Sequence, residues 1–373
     1  MRKIRKMKHT GFEKHPKKMS VIFLAVSLLF SIYGAEILLS LVTPMEKIGT
    51  EVRNIRLREH IPSTVKYLVP TDVYMENTDS LVKKEYRFEI DRDGYLYPSR
   101  IHDKPDLTII FLGGSTIECL YVDENNRFPY LVGRLLEENG RKVNSFNSGV
   151  SGNNSMHSNN ILLNKGIALD PDVAIMMHNV NDLNVLLYEK NYWNENPSKS
   201  LMKVYGFSSG IKAITRAALP RLYDKLVVLK MRFLVGDEFT HLRGKQLTIN
   251  KHKILQQFER SLLNFINISR VHKIMPILMT QASRFKDRPD AVIVNALMPK
   301  LNNVGIAYDE FKDLYDEMND SIRKTGRINK VQVIDLAKEV PQDNAYMYDF
   351  AHLNNNGSQY VAELIADRLG NLQ

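Results

Sequence analysis

The chain has 373 residues, 44% hydrophobic and 25% charged, the balance of a globular protein able to bury a sizeable core in one or two domains. Its formal charge of +9 does not mark a nucleic-acid binder. Eight basic residues and one acidic residue, Glu13, fall within 1–18, and the rest of the chain is close to neutral. The single cysteine, Cys119, excludes an intramolecular disulfide and a cysteine metal cluster.

The amino-terminal end carries the first element. Met19 to Val42 is a mostly apolar stretch of 24 residues, which as a helix spans roughly 36 Å at about 1.5 Å per residue, enough to cross a bilayer. Dense positive charge precedes it, and Glu46, Lys47, Glu51 and Arg53 balance one another after it. That asymmetry predicts residues 1–18 as a cytoplasmic tail and 19–43 as a signal-anchor, with the body periplasmic or extracellular. Glu36 interrupts the apolar run near the far interface, where a carboxylate costs little. A cleaved signal peptide is the rival reading, but Tyr33-Gly34-Ala35 puts a bulky residue where a small one is wanted. No cysteine follows the run to serve as a lipid anchor.

Residues 44–104 read as a linker and small β-rich approach segment, with β-like pieces at Val65–Val69 and Tyr86–Ile90. A hairpin turn is expected at Asp91-Arg92-Asp93-Gly94-Tyr95. No chemistry is identified in this stretch.

From Leu107 the pattern alternates strand and helix. Strands are expected at Leu107–Leu112, Val143–Asn147, Val173–His178, Ile274–Thr280 and Val331–Ile334. Helices are expected at Phe128–Glu138, Met156–Gly166, about Ile254–His272, residues 309–323 and Ser358 to about Leu369. Five βα units imply an α/β fold, a parallel sheet with right-handed crossovers and helices on both faces. Residues 186–250 exceed what a βα connection needs. This insertion holds Tyr188, Tyr192, Trp193 and a basic amphipathic run, Ile211–Leu234. It reads as a lid or substrate platform, a membrane-surface helix, or a packing insertion.

The chemistry centres on Phe111 to Glu118, FLGGSTIE. An unbroken β-branched run leads into two glycines, which permit a sharp turn, and Ser115 stands where a helix begins. A serine there is presented at the carboxyl edge of the sheet, where α/β proteins place their sites. Three further blocks stand at the carboxyl ends of later elements: Gly152 in Gly149-Val150-Ser151-Gly152-Asn153, Asn181 in Asn179-Val180-Asn181-Asp182, and Asp349-Phe350-Ala351-His352-Leu353 before the last helix. Together these blocks resemble the SGNH (GDSL-type) hydrolase family over roughly residues 105–371, apart from the insertion.

The resemblance implies a three-layer α/β/α sandwich with a five-stranded, flavodoxin-like parallel sheet. It also implies the catalytic set Ser115, Asp349 and His352, and an oxyanion hole of the Ser115 and Gly152 backbone N–H groups and the Asn181 side-chain amide. Chemically, Ser115 Oγ needs an adjacent base to become a nucleophile. His352 is placed to be that base and later the acid. Asp349, three residues earlier, would fix the imidazole tautomer and stabilise its charged form. An α/β-hydrolase elbow would need a glycine where Ile117 stands, and a P-loop would need a lysine that is absent.

The chain departs from the family pattern at two positions. Gly114 stands where many members have Asp, and Asn179 where many have Gly. Gly149 is the nearest rival to Gly152 as the oxyanion glycine. His157 and His178 read as structural, since no third ligand for a metal can be named. Cys119 reads as a buried small hydrophobe, and Asp182 as structural. Trp193 and Arg284 are candidate substrate-binding residues. Arg284 could equally form an exposed salt bridge.

The expected function is a membrane-anchored, exported serine esterase acting on O-acetyl or other small acyl esters of cell-envelope or exopolysaccharide. It would work without metal or cofactor and with no nucleic-acid partner. Trp193 and the tyrosines would stack on sugar faces. The same residues suit a polysaccharide O-acetyltransferase, in which a sugar hydroxyl replaces water. A lysophospholipase or thioesterase, and a catalytically silent glycan-binding or assembly subunit, are the other readings. Expected partners are an acylated carbohydrate or lipid substrate, the membrane and proteins of polysaccharide biosynthesis.

Overall fold

The computed structural model describes residues 15–42, 57–99, 101–138, 140–196, 198–202, 207–233 and 242–370. Most of the basic tail (1–14), the start of the approach segment (43–56), and 203–206 and 234–241 of the insertion lie outside the described residues, as does residue 371. In chain order the elements begin with α1 (Pro16–Val42), β1 (Val65–Leu68), α2 (Asp72–Met75), β2 (Tyr86–Glu89), β3 (Leu107–Gly113), α3 (Ser115–Glu118), α4 (Phe128–Glu137), β4 (Val143–Asn147), α5 (Ser155–Asn164), β5 (Val173–Met177) and α6 (Val180–Tyr188). They continue with α7 (Phe207–Ala218), α8 (Pro220–Phe233), α9 (Lys251–Val271), β6 (Met275–Met279), α10 (Ala291–Ala296), α11 (Met298–Asn302), α12 (Tyr308–Asn329), β7 (Gln332–Ile334), α13 (Leu336–Glu339) and α14 (Asn355–Gly370). Two compact units form. One joins residues 1–45 to 204–236; the other joins 46–203 to 237–373.

The larger unit is built on a five-stranded parallel sheet of order β4-β3-β5-β6-β7. The central strands β3 and β5 are apolar on both faces because helices cover both. Successive side chains of a strand point to opposite faces, and β3 shows the consequence. Ile110 and Leu112 join one core with Ala174, Met176, Phe258 and Phe311. Ile109 and Phe111 join another with Ile175, Val132, Val361 and Ile365. One layer is thus α5, α9 and α12, and the other is α4 and α14, giving an α/β/α sandwich. Phe111 is fully buried, and truncating such a side chain to Ala typically costs about 3–5 kcal/mol.

The chain leaves β3 for β4 on one side and returns to β5 on the other. The loops after β3 and β5 therefore diverge, opening a crevice at the carboxyl edge where the strand order reverses. Ser115 follows β3 and Asn181 follows β5, at that crevice.

Residues 57–99 carry the β-rich part of the approach segment. β1 and β2 pair antiparallel, Val65 opposite Glu89, and the turn at Asp91 folds tightly. The Asp91 carboxylate accepts the N–H groups of Asp93 and Tyr95, both at 2.9 Å, and Gly94 takes the left-handed φ of 84° that this turn requires. Leu96 then donates its N–H to Asn147 O at 3.0 Å, attaching the segment to the outer edge of β4. Helix α12 runs past residue 323 to Asn329, its last turn packed so closely on β7 that a Cβ at Gly326 would fall 2.2 Å from a Val333 side-chain methyl.

In the smaller unit, α1 is a 27-residue helix long and apolar enough to cross a bilayer by length and composition. The basic amphipathic run of the insertion forms α7 and α8, and α8 packs against both α7 and α1. Tyr188 and Tyr192 belong to the larger unit's core and are buried. Tyr192, whose hydroxyl is bonded to Asp182, is therefore unavailable to stack on a sugar.

Candidate active site

Ser115 is the first residue of α3, a single helical turn whose opening leaves the Ser115 N–H without an intrahelical partner. The tight entry depends on Gly114. A Cβ there would fall 2.4 Å from Asn181 Nδ2 and 3.0 Å from Asn153 O, so the missing side chain makes room for the amide. An Asp at this position would collide with it.

His352 comes from the loop before α14. Ser115 Oγ–H donates to His352 Nε2 at 2.7 Å, and His352 Nδ1–H donates to Asp349 Oδ2 at 2.7 Å. The other Asp349 oxygen accepts the N–H groups of Ala351 at 2.9 Å and His352 at 2.8 Å. Local backbone thereby fixes the carboxylate that orients the ring. Tyr348 stacks on the imidazole with centroids 5.7 Å apart, and Phe350 meets it at 6.1 Å.

Burial alone would lower the His352 pKa, but the adjacent Asp349 carboxylate and Glu118 outweigh it and raise the value above that of an ordinary histidine. Burial alone would raise Asp349, but His352 and the backbone N–H groups hold its carboxyl below the usual range. The pair is arranged to favour an imidazolium–carboxylate state, the state a proton-accepting histidine must reach.

Asn181 stands in the first turn of α6, just after β5, and donates Nδ2–H to Asn153 O at 2.9 Å. This bond holds the amide beside Gly114 and ties it to the Gly152 turn. Gly152 adopts φ 78°. Gly149 serves a different purpose: its N–H is taken by Asn147 Oδ1 at 2.9 Å, and a Cβ would lie 2.3 Å from Glu118 N. It is a close-packing glycine, which leaves Gly152 as the oxyanion candidate.

Behind these donors Asp182 is completely buried. It accepts the Ser155 N–H at 3.1 Å with both oxygens, the Ser155 hydroxyl, and the Tyr192 hydroxyl at 2.6 Å. Burial pushes its carboxyl up to about 6, against the pull of these hydrogen bonds. His178 Nδ1 lies 3.5 Å from Asp182 Oδ2, and its Nε2 pairs with Ser158 Oγ at 2.7 Å. Its pKa falls to about 3 through burial. His157 caps α5, its Nδ1 accepting the Asn154 N–H at 3.1 Å. Cys119 is buried, with its thiol pushed up to about 12 by desolvation. Among the described residues no group of three or more His, Cys, Asp or Glu side chains is arranged to hold a metal ion.

Two expectations need correction. Arg284 is neither a substrate contact nor exposed. Its side chain is 4% exposed, with Nη1 and Nη2 each donating to Asp79 at 2.7 Å and Nη2 to Asp290 at 2.6 Å. Its backbone N–H also bonds Phe350 O at 2.9 Å. The guanidinium is consumed in clamping the histidine loop to the approach segment. That segment, read as chemically silent, also supplies Tyr74, whose hydroxyl donates to Asp349 Oδ2 at 3.4 Å. His60 lies 3.1 Å from both Gly149 O and Glu118 Oε1. No periodicity or motif announces such residues, because their partners lie far away in sequence. Trp193 is 81% exposed. A cavity of about 340 Å³ is lined by Val180, Asn184, Tyr188, Phe285 and Phe350 among others; none of Ser115, Asp349, His352, Gly152 and Asn181 lines it, and it approaches them through Phe350, which meets His352.

No protein-family model matches the chain, and no curated protein matches it. Solved structures do. An acetyl-xylooligosaccharide esterase from Geobacillus stearothermophilus is similar at 13% identity and TM-score 0.43, covering 72% of this chain and 97% of its own. A GDSL-like lipase from Bacteroides thetaiotaomicron is similar at 12% identity and TM-score 0.39, covering 71% and 89%. A lipase/acylhydrolase from Enterococcus faecalis is similar at 16% identity and TM-score 0.41, covering 72% and 97%.

Proposed function

We propose that this chain is a membrane-anchored serine ester hydrolase of the SGNH type, acting on carboxylic esters outside the cytoplasm. The observation that carries the reading is the unbroken line from Ser115 Oγ through His352 to Asp349, with 2.7 Å at both links. In the reaction, His352 Nε2 takes the Ser115 proton as Oγ attacks the ester carbonyl. The imidazolium formed is stabilised by Asp349. The tetrahedral oxyanion is met by the Ser115 and Gly152 N–H groups and by Asn181 Nδ2. His352 then returns the proton to the leaving alkoxide. In the second half it deprotonates a water that attacks the acyl carbon, and it passes that proton to Ser115 Oγ as the acyl–Oγ bond breaks and the carboxylic acid leaves.

The substrate follows from site and location together. The cavity of about 340 Å³ bordered by Phe350, which meets His352, and by Val180, next to Asn181 in the chain, would take a small acyl group. An amino-terminal anchor of the length of α1 would hold the site at the envelope. O-acetyl esters of cell-surface or secreted polysaccharide fit both, with the exposed Trp193 as the aromatic that would meet sugar.

The test uses the full chain in detergent with 4-nitrophenyl acetate, a fluorophosphonate probe and acetylated glycans, beside Ser115→Ala and His352→Ala. Turnover and labelling should vanish in the Ser115 variant. A folded wild type that neither labels nor hydrolyses any ester rejects the reading. Transfer to added glycan faster than hydrolysis would reassign the same residues to an O-acetyltransferase.

A further inference from the structure

Glu36 is the one charged side chain between Lys18 and the end of α1. It is 8% exposed, whereas Phe30, Ile37, Leu38 and Leu41 around it are 59–76% exposed. The burial comes from α8. The Glu36 carboxylate accepts the backbone N–H of Arg221 at 3.1 Å and of Leu222 at 2.8 Å, and the Arg221 guanidinium stands 3.5 Å away. A helix's first N–H groups lack intrahelical partners and carry its positive dipole end, so a carboxylate satisfies both.

Glu36 lies 17 residues beyond Met19, roughly 26 Å along a helix rising about 1.5 Å per residue. That depth is just inside the far boundary of a hydrocarbon core about 30 Å thick. The helix that meets Glu36 there has the composition of an interfacial element. Across α7 and α8 stand Lys212, Arg216, Arg221, Lys225, Lys230 and Arg232 against Asp224 alone. Ile211, Ile214, Leu226 and Leu229 are each about half exposed or more. Exposed aliphatics beside dense positive charge match an acyl boundary under anionic headgroups.

We propose that the α7–α8 hairpin lies in the outer interface of the bilayer crossed by α1, on anionic lipid, with Glu36 and Arg221 as the clasp between hairpin and anchor. This rests on the membrane-anchored reading above.

The experiment reconstitutes the full chain into phosphatidylcholine vesicles with and without about one-third phosphatidylglycerol. An environment-sensitive fluorophore is placed at Leu226→Cys, Ile214→Cys or Lys225→Cys. Wild type serves as labelling control, since Cys119 is buried. Labels at 214 and 226 should be quenched several-fold more by lipid-borne quencher than by aqueous iodide, and more so with the anionic lipid. The label at 225 should show the reverse. Glu36→Ala should reduce lipid quenching at 226, and Glu36→Asp should retain it. Iodide-dominated quenching at 214 and 226, or protection from both quenchers, overturns the interfacial placement. No effect of Glu36→Ala overturns the clasp. A chain that fails to float with vesicles at all overturns the anchor itself.

Discussion

The Asp182 carboxylate binds the backbone N–H of Ser155 through both oxygens at 3.1 Å. It thereby joins the turn that carries Gly152 to the turn that carries Asn181. The two proposed oxyanion donors come from different βα units, and this buried contact ties those units together. Asp182→Ala should lower kcat by about 10²–10³, the scale of losing an oxyanion donor, with little change in KM. It would also strand the Ser155 and Tyr192 donors, at about 1–3 kcal/mol each. Steady-state kinetics beside thermal melting checks both; unchanged kcat would disprove the positioning role.

The same carboxyl makes a pH prediction. Its folded pKa, about 6 through burial, lies above its ordinary value of 3.8. Between those values the folded state holds a proton that the unfolded state has lost, so stability falls as pH rises through this window and then levels off. The melting temperature of wild type, referenced to Asp182→Asn, should decline from about pH 4 to about pH 6. A flat difference would contradict it.

His352 must be neutral to accept the Ser115 proton. Because Asp349 and Glu118 raise its pKa against burial, the acid limb of kcat/KM should lie above the value of an ordinary histidine. In Asp349→Asn the raising carboxylate is gone and burial dominates, so the limb should move to lower pH. The maximum rate should drop by about 10⁴, as in the comparable serine triad. An acid limb that stays in place would show that another group controls it.

Gly114→Asp puts a carboxylate side chain into the turn that presents Ser115. Here it should inactivate, because any Cβ at 114 falls 2.4 Å from Asn181 Nδ2. Even Gly114→Ala should lower kcat by about 10-fold or more, through displacement of one oxyanion donor. Retained wild-type kcat in Gly114→Ala would show that the amide tolerates displacement.

Arg284→Ala removes a buried guanidinium held by Asp79 and Asp290. Breaking such a pair costs about 3–5 kcal/mol. Arg284→Lys should recover only part, since one ammonium cannot reproduce the forked bonds. The melting temperature should fall while KM for small esters stays near wild type. A selective rise in KM would return Arg284 to substrate binding.

Much of this molecule is determined by its sequence. The apolar runs Leu107–Leu112 and Val173–His178 can be read as buried parallel strands because both of their faces are apolar. The Ser115, Gly152, Asn181 and Asp349–His352 blocks stand at strand or helix ends because local chain punctuation is written locally. What only tertiary structure decided is pairing across distance. Arg284 finds Asp79, and Tyr74 finds Asp349 from 275 residues away. Glu36, read as tolerable at an interface, finds the start of a helix 185 residues on. Such partners leave no periodic trace, because a buried charge is matched by whichever segment the fold brings beside it.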